Sequence, residues 1–172
     1  MRKNEGFTLI ELMIVVAIMA IIAAVAAPGL QRARLSSNES SVVGSVRAIN
    51  SAETAYAASC GGGGYAQSLA DLGLPAPGGQ PFVGPDLVGG TKSGYTLVVT
   101  NLAGALSVLP AASTCNGASA DSVDRYHASA VPLTLGSTGQ RSFASDDRGT
   151  IYQDVTGVAI ANPIPAGTQM LQ

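Results

Sequence analysis

Tryptophan is absent, histidine occurs once, cysteine twice, and only 12% of the 172 residues are charged. A soluble domain ordinarily carries about 25% charge, so part of this chain is selected against it. The two cysteines, Cys60 and Cys115, match no zinc spacing and no C-x-x-C redox motif, and no C-x-x-C-H marks a haem site. If that region faces an oxidising space they form one disulfide; otherwise they are two buried free thiols. The net charge is −2 with no run of like charges, so nucleic acid is not indicated as a partner, although a basic groove built by folding or assembly stays open. What is present in quantity is apolar: 47% hydrophobic residues, a mean hydropathy of +0.31, and 21 glycines that point to a loop-rich surface. The length suits one compact domain plus one appended element.

The appended element is at the N-terminus. Residues Phe7 to Ala27 read FTLIELMIVVAIMAIIAAVAA, with Glu11 as their single charge. Twenty-one helical residues span about 30 Å, the thickness of a bilayer's hydrocarbon. Arg2 and Lys3 precede the run and no cation follows before Arg32, which leaves the N-terminus in the cytoplasm and sends the rest outward. A cleaved secretory signal would use Ala24-Val25-Ala26, but its apolar core should be shorter and free of carboxylates. A plain membrane anchor fits the length and leaves Glu11 unexplained, although a charge inside a bilayer costs at least a few kcal/mol.

The string Gly6-Phe7-Thr8-Leu9-Ile10-Glu11, behind a short basic leader, resembles the cleavage and methylation signature of type IV prepilins and type II secretion pseudopilins. The resemblance implies a cut between Gly6 and Phe7 by a prepilin peptidase that also N-methylates Phe7. Glu11 becomes the fifth residue of the mature chain, where the family has its glutamate, and Pro28 matches the family's helix-kinking proline. An unpartnered ammonium and an unpartnered carboxylate are each costly in a low-dielectric bundle and much less so together. The implied pairing is Glu11 of one subunit with the N-terminal amine of the next. The implied partners are copies of the chain in a helical filament, the peptidase, an inner-membrane assembly platform, and membrane lipid before assembly. The implied location is the inner membrane for the precursor and an extracellular filament thereafter, or the periplasm for a pseudopilin.

Beyond the apolar run, Pro28-Gly29 would ordinarily end a helix. Yet Val42, Val46, Ile49, Ala52 and Tyr56 recur at helical spacing, with Arg47, Asn50 and Glu53 read as lying off that face. One helix over 7–59, weakened at 28–29, is the expectation, and those two residues are assigned to assembly: the weak stretch would extend inside a filament. Gly61 to Gly64 stop the helix. A Gly-rich loop over 60–94 follows, with a helical turn at Ser68 to Leu72, and then an antiparallel sheet over 94–154. Its strands are Gly94–Thr100 and Ala105–Leu109 as a hairpin, Arg125–Leu135 ending or edging at Pro132, and Gln140–Ala144 with Thr150–Gln153 around the Asp146–Gly149 turn. The last pair loosely resembles the final sheet strands of pilin-like proteins. The fold class is α+β and pilin-like: a leader (1–6), a long helix (7–59; 7–27 membrane or filament core), and a head (60–172) whose four- to five-stranded sheet packs on the helix's second half.

The same residues carry little chemistry. His127 reads as a surface strand residue, because no G-x-S-x-G elbow accompanies it to make a triad. Asp146, Asp147 and Asp154 are weak calcium candidates, since some pseudopilins bind calcium through C-terminal acids, but their spacing matches no EF-hand. Besides Phe7, Tyr56 is the sole aromatic on the long helix, so there is no aromatic ladder for electron conduction. Many pilins close a C-terminal loop with their cysteines, and Cys60 and Cys115 depart from that. No cofactor and no enzymatic activity are expected. The reading is a structural subunit, the major pilin of a type IV pilus supporting adhesion, motility or DNA uptake. The alternatives are a major pseudopilin of type II secretion and, from another class, a periplasmic binding module released at Ala26.

Overall fold

The computed structural model describes residues 6–171. The leader expected at residues 1–6 therefore lies, except for Gly6, outside the described residues. Contacts divide the chain into two compact units, 1–34 and 35–172. Helix α1, Leu9–Ser59, contributes to both and passes through Pro28 as helix.

In the second unit the spacing of apolar residues on α1 does what its period predicts. Val42, Val46, Ile49, Ala52 and Tyr56 are all buried, and they share one core with Leu97, Val99, Ala128, Ala130 and Phe143 of the sheet. Glu53 and Asn50 correct the expected polar side of that helix. Glu53 is fully buried, because it stands four residues after Ile49 and three before Tyr56 and so on the same face. Asn50 is half-buried, accepting from the Tyr126 hydroxyl at 3.0 Å and donating to Ser145 Oγ at 2.8 Å.

The main sheet has six strands, all pairings antiparallel, in the order β1 (Thr91–Lys92), β2 (Tyr95–Asn101), β5 (Tyr126–Pro132), β6 (Ser142–Asp146), β7 (Ile151–Asp154), β8 (Gln169–Met170). Four strands of useful length form its centre; β1 and β8 are two-residue edges that no period could reveal. Pro132 closes β5 opposite Tyr95, a strand end where its missing N–H is tolerated. The hairpin expected between β2 and residues 105–109 does not form. Instead β3 (Ser107–Leu109) pairs with β4 (Ser122–Val123) in a separate two-stranded sheet. The cause is Leu102: it is buried, its N–H donates to the Arg125 carbonyl at 3.0 Å, and the turn that follows leads away from β2. The edge of β2 is then free for all seven residues of β5.

Two short helices organise the loop region. Ser68 caps α2 (Leu69–Leu72) by accepting from the Asp71 N–H at 3.0 Å, the local preference of a serine at that position. Helix α3, Pro85–Val88, starts on a proline, which needs no partner for an N–H there. At the end of α1, Gly62 holds φ +63° and a Cβ on Gly61 would fall 2.1 Å from the Gly64 carbonyl oxygen, so the glycine run is required by both twist and space.

His127 is also corrected: it is a buried β5 residue whose Nε2 has no partner among the described residues. Burial lowers its pKa, and the carboxylate of Asp146, opposite it on β6, works against that shift.

Candidate assembly site

The start of α1 shows how Glu11 is held. The Thr8 N–H and hydroxyl both donate to Glu11 Oε2, at 2.9 and 2.7 Å, and the Glu11 N–H donates back to Thr8 Oγ1 at 3.3 Å. This is a reciprocal capping box, Thr-x-x-Glu, which satisfies backbone donors that a helix start otherwise leaves open. The carboxylate is therefore not without a partner in its own chain, as the bare sequence suggested. Both contacts use Oε2, which leaves Oε1 for a further donor. Thr8 belongs to the signature string, and its capping contact follows a local pattern, a threonine three residues before a glutamate.

Around this one polar device the helix is apolar on every side. Phe7 is 88% exposed, and Leu9, Ile10, Ile14, Ile18, Ile21 and Val25 are exposed as well. The segment meets the length and composition needed to cross a membrane. An amphipathic helix would bury one stripe, whereas a helix apolar all round is one meant for lipid or for the inside of a larger assembly. Pro28 removes one intrahelical donor within this stretch. At Gly29 a Cβ would meet nothing within 4 Å, so the glycine is not imposed by packing in this chain. What it contributes is low helix propensity beside a proline.

In the second unit, Glu39 ties the helix to the sheet. Its Oε2 accepts from Arg141 Nη2 at 2.7 Å and Nε at 2.9 Å, and its Oε1 from the backbone N–H groups of Gln140 and Arg141. Burial opposes ionisation of Glu39, but those backbone and guanidinium donors outweigh it and hold the carboxyl below its usual range. No local motif announces a pair 102 residues apart in sequence. Glu53 has the opposite environment. One oxygen accepts from the Ala66 N–H at 2.8 Å and the other has no partner among the described residues; burial first, with Asp71 nearby adding to it, pushes its pKa to about 8.

Cys60 and Cys115 form a disulfide that ties the end of α1 to the loop after β3. Two of the three acids of the calcium expectation, Asp146 and Asp154, have separate partners. Asp146 is paired with Arg148 at 2.5 Å, and Asp154 accepts from the Thr156 N–H at 2.7 Å. Among the described residues no group of three or more metal-ligating side chains comes together.

Comparison with known proteins points to the same end of the molecule. Residues 1–27 match the family model described as the prokaryotic N-terminal methylation motif. The chain is also similar to the type IV wide pilus major component PilA4 of Thermus thermophilus, with 57% identity over 42 residues, 24% of this chain and 32% of that protein. The match thus spans about a third of the relative's length. No solved structure matches the chain. The N-terminus carries the type IV pilin signature, and the signature together with this relative supports a pilin-type subunit.

Proposed function

We propose that the chain is the major structural subunit of a type IV pilus. It is made as an inner-membrane precursor, cut between Gly6 and Phe7, N-methylated on Phe7, and packed through α1 into an extracellular filament. The observation that carries this reading is the pairing of a helix exposed and apolar on all sides with a single, pre-oriented carboxylate at Glu11. After the cut, that carboxylate lies four residues from a new ammonium. In water both are content; in an apolar bundle each needs a counter-charge, and a neighbouring copy has it to offer. Lipid and neighbouring helices satisfy the rest of the surface about equally, so the segment passes from bilayer to filament at small net cost. Pro28-Gly29 is the weak point at which the packed helix can extend.

The head then faces the outside. Its disulfide suits an oxidising space, and adhesion, motility or DNA uptake would be served from its surface as structural rather than catalytic roles. The relative's own name, a pilus major component, supports the pilus over a secretion pseudopilus. Mass spectrometry of the mature protein tests the reading: N-methylphenylalanine at Phe7 is expected, and a chain beginning at Ala27 would replace it with a released periplasmic protein.

A further inference from the structure

We infer that Arg32 and Arg34 are a phosphate-binding collar that fixes the depth of the anchor in the outer leaflet of the bilayer before assembly; this rests on the membrane-anchored reading above. Both arginines are exposed on α1, and neither takes part in an ion pair among the described residues. No carboxylate lies between Glu11 and Glu39 in the sequence, and Glu39 is buried against Arg141. Two cations thus stand at the end of the apolar run with no counter-charge from their own stretch of chain.

Their position matches a bilayer. With hydrocarbon filled by residues 7–27, Arg32 lies five residues, about 7–8 Å, past Ala27. The polar layer on each side of a bilayer is about 5–8 Å deep. Side chains on a helix lean toward its N-terminus, here back toward the membrane, and an arginine reaches further by keeping its stem along apolar surface. Guanidinium matches phosphate oxygens in a two-point geometry.

Their arrangement also selects the partner. Residues two apart lie about 200° apart around a helix, so the two guanidinium groups point to opposite sides. A carboxylate patch on one neighbouring protein would meet one of them. A lipid headgroup layer surrounds the helix and meets both. Cutting after Gly6 removes Arg2 and Lys3, so Arg32 and Arg34 become the remaining cationic side chains next to the apolar run.

The test places the full chain, carrying R2Q throughout so that the leader adds no arginine signal and labelled with carbon-13 at the arginine Cζ, in vesicles of phosphatidylglycerol and phosphatidylethanolamine. Carbon–phosphorus dipolar dephasing is then read by solid-state NMR. Dephasing is expected for the wild type, reduced by about half in R32Q or R34Q, and lost in R32Q/R34Q. Equal dephasing in the double variant, or none in the wild type, overturns the proposal. Co-flotation of chain and vesicles after an alkaline wash separates the two levels. A chain that floats without phosphorus contact sinks the collar alone, whereas one that fails to float sinks the membrane anchor with it.

Discussion

The two stretches of α1 treat the same residue in opposite ways. Within 9–34, Glu11 stands in an exposed apolar surface with one oxygen held by Thr8 and the other open. Within 35–59, Glu39 is clamped by four donors from Gln140 and Arg141, the two residues just before β6, and Glu53 is buried where ionisation is disfavoured. The second stretch solves its electrostatics inside its own chain, by pairing or by neutralising. The first does not, and its apolar surface is equally unfinished. A helix half that is complete alone and a half that is complete only in company are what a subunit needs if it folds first and polymerises later.

That contrast breaks if changes in the second unit alter assembly and stability alike, or if changes in the first unit unfold the head. The largest effect expected on the head is from Cys60→Ser with Cys115→Ser. Closing a loop over a separation of 55 residues constrains the unfolded chain by about 4 kcal/mol, so chemical denaturation should lose about that much. A loss below 1 kcal/mol would mean that the glycine turn and β3–β4 hold that end unaided.

Glu53 gives the next effect, and it depends on pH. Its folded pKa, about 8, lies above the ordinary value of 4.5, so the folded state holds the proton more tightly than the unfolded one. The stability linked to this group is fully present below pH 4.5 and is lost as pH rises toward 8, a few kcal/mol in all. Glu53→Gln should be more stable than wild type near pH 8 and should lose that advantage near pH 4.5. Parallel stability curves across that range would show that Glu53 ionises freely in the fold. Glu39→Gln is expected to cost about 1–3 kcal/mol, below the figure for a fully buried pair because the Arg141 side chain is 37% exposed. Smaller still is Thr8→Ala. Losing the cap should raise amide exchange over residues 9–12 about fivefold, the equivalent of about 1 kcal/mol, while leaving the melting of the head unchanged.

The legible part of this molecule was the part written in short-range pattern. Gly6 to Glu11 sit in consecutive order, the apolar run needs only counting, and Val42 to Tyr56 repeat at helical spacing. Each of these reports a local rule that survives without knowledge of the rest of the chain. The disulfide was legible as one of two states for the only two cysteines. Glu53 was misplaced because its charge was weighed ahead of its angle on the helix, and burial overrode the usual solvation of a carboxylate. The β2–β3 hairpin failed because a single buried residue, Leu102, redirected the turn. The Glu39–Arg141 pair joins residues 102 apart, a distance at which sequence pattern carries no signal.

Capping and counter-charge make different demands on Glu11, and one pair of variants separates them. Glutamine can complete a Thr-x-x-Gln capping box but cannot neutralise an ammonium, whereas alanine does neither. The measurement is filament yield by shearing and electron microscopy for Glu11→Gln beside Glu11→Ala, with cleavage after Gly6 verified in both. A counter-charge in the next subunit predicts that both variants are processed and both lose filaments. Normal filaments from Glu11→Gln would contradict it and reduce Glu11 to a helix cap.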